Sequence, residues 1–199
     1  MKAKISAFDA LAPRWDSLKP YEAVAAGVLR GLALLDDISG RDVVDLGCGT
    51  GRLEEILLPR LGNGRVVGVD FSAEMIARAR LRCPDSRATW LCCDVLETDL
   101  PRGSADIVLC FDSFPHFPDG KAVLREAADW LRPGGALLLW HDVGRALLAE
   151  VHRRAGPPVH DDVLPPVEEL ARVAREAGFV PGRAEEDEDS YTFLGRRQA

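Results

Sequence analysis

The sequence predicts an α/β fold in which a mostly parallel sheet carries helices on both faces. Three observations predict it. Short runs that are apolar on both faces, Asp42–Leu46, Arg65–Asp70, Ala105–Phe111 and Ala136–Trp140, alternate with helical patterns, and strands of that kind belong to a sheet covered on each side. Glycines at alternate positions, Gly47-Cys-Gly-Thr-Gly51, lead from the first of these runs into a helix, the usual place for a ligand loop in an open parallel sheet. Pro133-Gly-Gly135 then stops a helix just ahead of Ala136–Trp140.

The elements follow in order. Ile5–Trp15 reads as a short helix interrupted by Pro13, and Tyr21–Leu35 as a longer one with Tyr21, Val24, Ala25, Val28, Leu32 and Leu35 at helical spacing. After the strand Asp42–Leu46 and its glycine loop comes a helix around Leu53–Leu58, which Pro59 helps to end. Gly62-Asn-Gly64 makes a turn into the β-branched strand Arg65–Asp70. Ser72 caps a helix Ala73–Arg82, with Met75, Ile76 and Ala79 on one face. Ala88–Cys93 and Ala105–Phe111 are strands, Lys121–Leu131 a helix, and Ala136–Trp140 the fifth strand. Beyond it are a helix Arg145–Arg153, a Pro-rich loop Gly156–Pro166, and a helix Val167–Ala177 ended by Gly178. Strand-like segments near Phe179–Ala184 and Tyr191–Leu194 flank the acidic stretch Glu185–Asp189, which reads as a solvated turn. The expected sheet has seven strands, the last antiparallel and entering beside the fifth.

Composition narrows the function. The chain has 199 residues, 47% hydrophobic and 29% charged, with a formal charge of −7. That balance argues against a broad phosphate-binding surface and favours a small-molecule partner over nucleic acid. The start, Met1-Lys-Ala-Lys-Ile-Ser, has no apolar core of a secretory signal, and no apolar run has membrane-spanning length, so a cytoplasmic protein with no membrane partner is expected. Five cysteines, Cys48, Cys83, Cys92, Cys93 and Cys110, form no C-x-x-C and read as reduced thiols packed in the interior. Oligomeric state is not legible.

The chemistry concentrates at Val43-Val-Asp-Leu-Gly-Cys-Gly-Thr-Gly-Arg-Leu53. Glycines there let backbone approach a ligand and offer N–H donors at a helix N-terminus. A dinucleotide fingerprint G-x-G-x-x-G starting at Gly47 would need glycine at position 52, where Arg52 stands. The actual pattern, G-x-G-x-G preceded by Asp45, resembles motif I of the class I S-adenosylmethionine-dependent methyltransferases. Val66-Val-Gly-Val-Asp-Phe-Ser72 ends a second strand in an acid 19 residues beyond Gly51, suited to accepting two ribose hydroxyls. Leu91-Cys-Cys-Asp-Val95, Asp106-Ile-Val-Leu-Cys-Phe111 and Trp130-Leu-Arg-Pro-Gly-Gly-Ala136 complete the resemblance, which spans about Arg41–Asp142.

The resemblance implies a Rossmann-like three-layer sandwich and the cofactor S-adenosyl-L-methionine. It assigns cofactor binding to Asp45, Gly47, Cys48, Gly49 and Gly51, ribose to Asp70, adenine to Phe71, Asp94 and Val95, and a further cofactor contact to Phe111. One domain is expected over 1–199: a helical cap over 1–40, a cofactor-binding core over 41–142, and a substrate-side helix, loop and closing hairpin over 143–199. The opening Ala7-Phe-Asp-Ala-Leu-Ala-Pro-Arg-Trp-Asp16 resembles the segment that forms a lid in small-molecule methyltransferases, with Trp15 toward the substrate.

His116 and His141 each follow a central strand at its carboxyl end, and Arg145 and His152 share a helix face seven residues apart. The expectation is that these four line the pocket of a small-molecule methyl acceptor, with His116 and His141 as catalytic bases and Arg145 and His152 binding substrate; no H-x-x-x-H or comparable spacing supports a metal, so none is assigned, and whether the histidines act as base or bind a metal is not legible. Ordinary hydrogen-bonded surface histidines explain the same residues about as well. His160 reads as loop polarity. Phe111-Asp-Ser-Phe114 stands where amino-group methylating enzymes carry an Asn/Asp-Pro-Pro-aromatic motif, which again favours a small molecule. The rival readings are an S-adenosylmethionine-binding protein without catalysis and, disfavoured by Arg52, an NAD-dependent oxidoreductase.

Overall fold

The computed structural model describes residues 2–198; Met1 and Ala199, the ends of the expected cap and closing segment, lie outside the described residues. Seven strands form one sheet in the order β3-β2-β1-β4-β5-β7-β6, six of them parallel and β7 antiparallel. The strands are β1 Asp42–Leu46, β2 Arg65–Asp70, β3 Ala88–Cys92, β4 Ala105–Phe111, β5 Leu131–His141, β6 Phe179–Glu186 and β7 Tyr191–Arg197. The helices are α1 Lys2–Leu11, α2 Tyr21–Leu32, α3 Arg52–Leu57, α4 Ala73–Arg82, α5 Gly120–Trp130, α6 Arg145–Ala155 and α7 Val167–Glu176. The architecture is the Rossmann-like sandwich, and its chain contacts divide into two compact units after Asp99.

In residues 2–99, β1, β2 and β3 pair in parallel register, Asp45 opposite Gly68 and Gly68 opposite Trp90. Gly68 has no side chain because Trp90 and the Cys48 thiol occupy that space: a Cβ there would lie 2.7 Å from the Trp90 ring. Pro13 does not simply end the first helix. The chain leaves α1 at Leu11 and continues as a 3-10 helix, Ala12–Ser17, whose first turn tolerates the missing proline N–H. Ser72 caps α4 as expected, its Oγ accepting from the Met75 N–H at 3.2 Å. A second cap comes from far away: Asp9 Oδ1 on α1 accepts from Ser72 Oγ at 2.6 Å and from the Glu74 N–H at 3.3 Å.

Two of the five cysteines depart from the expected burial. Cys92 is exposed and Cys93 half-buried, whereas Cys48, Cys83 and Cys110 are buried as expected. The reason is position, since Cys92 ends an edge strand of the sheet whose residues are none of them fully buried, and Cys93 follows it.

In residues 100–198, β4 and β5 are parallel, and β7 lies antiparallel to both β5 and β6. The expected closing hairpin is therefore part of the main sheet, beside the fifth strand. Strand β5 begins at Leu131 rather than Ala136. Leu131 pairs with Ala105, the register then slips, and pairing resumes at Ile107 with Ala136. The residues between hold the reversal, with Gly134 at φ +78°. The acidic stretch is not wholly solvated either. Glu186 Oε2 accepts from the Val167 N–H at 3.2 Å, placing a carboxylate at the positive end of α7.

Candidate functional site

The glycine loop is built by β1, β2 and α3 together. The N–H groups of Gly47 and Cys48 both donate to the Val69 carbonyl, at 2.8 and 3.1 Å, which folds the loop back over the end of β2. Gly47, Gly49 and Gly51 all have positive φ, +74°, +54° and +80°. Gly51 is also a close approach, since a Cβ would sit 3.0 Å from the Ala79 backbone on α4. At Gly49 a Cβ would meet nothing nearer than the Trp15 indole nitrogen at 3.9 Å, so this part of the loop faces open space beside Trp15.

Asp70 locks the loop to the strand end. Its Oδ2 accepts from the Gly49 N–H at 3.0 Å and its Oδ1 from the Ser72 N–H at 2.8 Å. Burial raises its pKa to about 6, partly offset by those two donors, with the Asp9 charge adding a further rise. Phe71 meets Phe8 of α1 edge to face at 5.4 Å, and Phe8 meets Trp15 at 5.8 Å. Asp94 Oδ1 accepts from the Leu96 N–H at 3.0 Å and caps a short 3-10 turn, and Val95 is buried beneath it.

Beneath the loop lies a pair of buried acids. Asp45 at the end of β1 is 2% exposed and Glu54 on α3 is fully buried. Burial drives both pKa values up, Asp45 to about 7 and Glu54 well above the usual carboxylate value, and the Asp45 charge adds to the rise at Glu54. The buried Cys48 thiol is pushed up by burial and then by Glu54, Asp70 and Asp45. Glu54 carries no motif signal, and an acid on the third helix would ordinarily be read as surface charge.

The opening segment is tied to this loop by residues the sequence did not single out. Asp16 Oδ1 accepts from Thr50 Oγ1 at 2.7 Å, and its Oδ2 pairs with Arg82 of α4. Arg82 also donates to the Thr50 carbonyl at 2.9 Å and to Glu55 at 2.8 Å. Arg52, the residue that breaks the dinucleotide pattern, donates to the Lys19 carbonyl at 3.1 Å and lies over the Tyr21 ring.

Residues 100–198 hold the histidines, in two groups. His116 and His152 come together with ring centroids 5.0 Å apart. Asp162 joins them: its Oδ2 lies 2.8 Å from His116 Nδ1, and its carbonyl 2.5 Å from His152 Nδ1. Asp162 sits in the Pro-rich loop, 46 residues from His116, so no local spacing announces it. His160 pairs with Asp161 at 3.0 Å on the surface, as loop polarity would.

The other group is a row across three strands. His141 stands opposite Tyr191, and Tyr191 opposite Glu186. His141 is 2% exposed, with its Nδ1 3.4 Å from Asp112 and the Tyr191 ring edge-on at 6.1 Å. Arg145 pairs with Glu186 at 3.4 Å. Phe111 stacks on Trp140 at 4.8 Å. Among the described residues no group of three or more His, Cys, Asp or Glu side chains is arranged to hold a metal ion.

A family model described as methyltransferase domain matches residues 43–135, from β1 through the reversal before Ala136. The chain is 30% identical over 204 aligned positions to the ubiquinone biosynthesis O-methyltransferase of Bordetella bronchiseptica, covering 90% of this chain and 81% of that protein. It is 34% identical over 144 residues to the ubiquinone biosynthesis O-methyltransferase of Idiomarina loihiensis, covering 67% of this chain and 58% of that protein, so the match spans under two thirds of that relative's length. Among solved structures, the methyltransferase chain of a complex with the Haloferax volcanii Trm112 methyltransferase activator superposes with a TM-score of 0.82, covering 96% of this chain and 98% of that one, at 21% identity. The chain belongs to the class I S-adenosylmethionine-dependent methyltransferases.

Proposed function

We propose that this chain transfers the methyl group of S-adenosylmethionine to an oxygen of a small molecule. The observation that carries the cofactor half is Asp70, whose carboxylate is held at the end of β2 by one N–H from the glycine loop and one from the start of α4. Each of its oxygens retains a lone pair for a ribose hydroxyl. Asp45 Oδ1, buried with no hydrogen-bond donor, and the open backbone at Gly49 support placing the methionine part along the loop. Phe71, Asp94 and Val95 would take the adenine, with Cys48 lining the loop, while Phe111 and Trp15 belong to the same proposal. The family membership and the methyltransferase names of its relatives favour this reading over a binding protein without turnover.

S-adenosylmethionine, when bound, supplies a methyl group already activated by its sulfonium, so the protein's part is binding, alignment and proton removal. An oxygen acceptor is favoured because the relatives are named O-methyltransferases. A hydroxyl must lose its proton as it is alkylated. In residues 100–198, His116 would take that proton, with Asp162 at its Nδ1 fixing the ring and stabilising the imidazolium. His152 would orient the Asp162 loop through its carbonyl. His141 and Arg145 stay in the proposal as acceptor-side residues, Arg145 offering a fork to a carboxylate or phosphate. Thiols with no disulfide among the described residues suit the cytoplasm, the compartment of this proposal, and no helix of the described residues is long and apolar enough to cross a membrane.

Calorimetry with S-adenosylhomocysteine tests the cofactor half. Wild type should bind, and Asp70→Ala should weaken binding by about 1.5–3 kcal/mol, the range for hydrogen bonds to a charged group. Unchanged affinity in that variant would refute the ribose assignment, and tighter binding of NAD would favour the oxidoreductase reading.

A further inference from the structure

The acid pair beneath the glycine loop has a chemical problem to solve. Asp45 and Glu54 are both buried, and Asp45 Oδ1 and both Glu54 oxygens have no hydrogen-bond donor from any N–H or hydroxyl of the described residues. Two cations of the neighbourhood are engaged elsewhere. Arg52 turns to the Lys19 carbonyl and the Tyr21 ring, and Arg82 to Asp16, Glu55 and the Thr50 carbonyl. The other groups shown to act on the pair are acidic: Asp70 at the end of β2, the Cys48 thiol in the loop, and the Cys83 thiol at the end of α4. Glu22 and Arg30 of α2 and Glu74 of α4 are exposed, Arg80 donates to the Trp90 carbonyl at 3.2 Å, and Arg78 is half-buried on α4.

Two buried carboxylates that act on each other with no donor to their inner oxygens cannot both be ionised, and such a pair keeps a proton between them. We infer that Glu54 is a neutral carboxylic acid that donates its proton to Asp45, so that Asp45 alone carries the charge presented to the ammonium of the cofactor. Glu54 is thereby a positioning residue, acting on the cofactor through Asp45. The direction of sharing follows from position. Glu54 is fully buried on α3, while Asp45 lies at the strand end beneath the loop, where an ammonium would reward the charge. Buried acids kept neutral so that they can donate a hydrogen bond are known in other active sites.

This inference rests on the cofactor reading above, and the experiment separates the two. Infrared difference spectra of the ligand-free protein at pH 8, wild type minus Glu54→Gln, should show the carbonyl band of a protonated carboxylic acid. Calorimetry with S-adenosylhomocysteine should show Glu54→Gln within threefold of wild type, because the amide also donates to Asp45. Glu54→Leu, which fills the space without a donor, should bind at least tenfold more weakly. A missing acid band overturns the inference, as does a Glu54→Gln protein as weak as Glu54→Leu, since an anion would then be required. A Glu54→Leu protein binding like wild type removes the positioning role. If wild type itself does not bind S-adenosylhomocysteine, the cofactor reading fails, while the infrared band still decides the protonation state of Glu54. If Glu54→Leu does not fold, the band and the Glu54→Gln affinity decide it.

Discussion

At the scale of single residues, the site depends on carboxyls whose surroundings set their charge. Asp70 is held up to about 6 and Asp45 to about 7, both chiefly by burial. Each does its proposed work as an anion, accepting ribose hydroxyls in one case and facing an ammonium in the other. S-adenosylhomocysteine affinity should therefore rise as pH goes from 5 to 8 and then level, a profile calorimetry reads directly; flat affinity across that range would contradict these assignments. His116 offers a second residue-scale test. Asp162→Asn keeps the loop's size but replaces the charge that would stabilise an imidazolium, so turnover should fall roughly ten- to hundredfold, within the range for acid–base assistance. Cofactor affinity should stay within about twofold, since the partners of Asp162 are His116 and His152, the proposed acceptor-side residues. Equal losses in both quantities would make Asp162 a structural residue.

At the scale of elements, the opening segment is the most informative. Alone, α1 has no fully buried residue and the 3-10 turn buries only Ala12, so hydrophobic packing holds it weakly. Its anchors are polar and distant in sequence: Asp9 on the first turn of α4, and Asp16 on Thr50 and Arg82. Those contacts fasten the segment to the two elements that frame the glycine loop. Asp16 is 38% exposed, so its ion pair is screened, and the whole anchor contributes on the order of 1 kcal/mol. Asp16→Ala should speed amide hydrogen exchange over residues 2–17 by roughly five- to tenfold while leaving β1 and β2 protected. No change in that exchange would show that the aromatic contacts of Phe8 and Trp15 suffice.

At the scale of the whole molecule, two sets of acids pull stability in opposite directions with pH. Asp45, Glu54 and Asp70 have raised pKa values in the folded state, so their contribution is full below about pH 4 and is lost as pH rises through the folded values. Asp85, lowered to about 2 by Arg87, and Glu150, Glu176 and Asp187, lowered by arginine, lysine or backbone partners, contribute above the usual carboxylate range and lose it as pH falls. Their exposure screens the second set, so the buried acids dominate at neutral pH. The ligand-free protein should melt highest near pH 5 and lose stability toward pH 8, at about 1.4 kcal/mol per pH unit for each proton released. Asp45→Asn should flatten that loss, and a melting temperature in wild type that climbs steadily from pH 5 to 8 would contradict the buried-acid account.

What the sequence determined by itself is what short-range pattern can encode. Apolar runs specified the strands of the parallel core, Gly47, Gly49 and Gly51 specified a loop of positive φ, and Ser72 specified a cap; each is a signal written within a few residues. Asp45 and Asp70 were legible because a strand end before a glycine loop, or one turn of the sheet beyond it, has a fixed place in this architecture. The tertiary structure alone decided the pairings between distant segments: Asp9 with Ser72, Asp16 with Arg82, His116 with Asp162, and His141 across from Tyr191 and Glu186. It also decided that Glu54 is buried against Asp45 while its neighbour Glu55 reaches Arg82. Adjacent acids on one helix look alike in sequence, and which of them turns inward depends on where the sheet and α4 lie, because burial is a property of the packed elements and not of the residue.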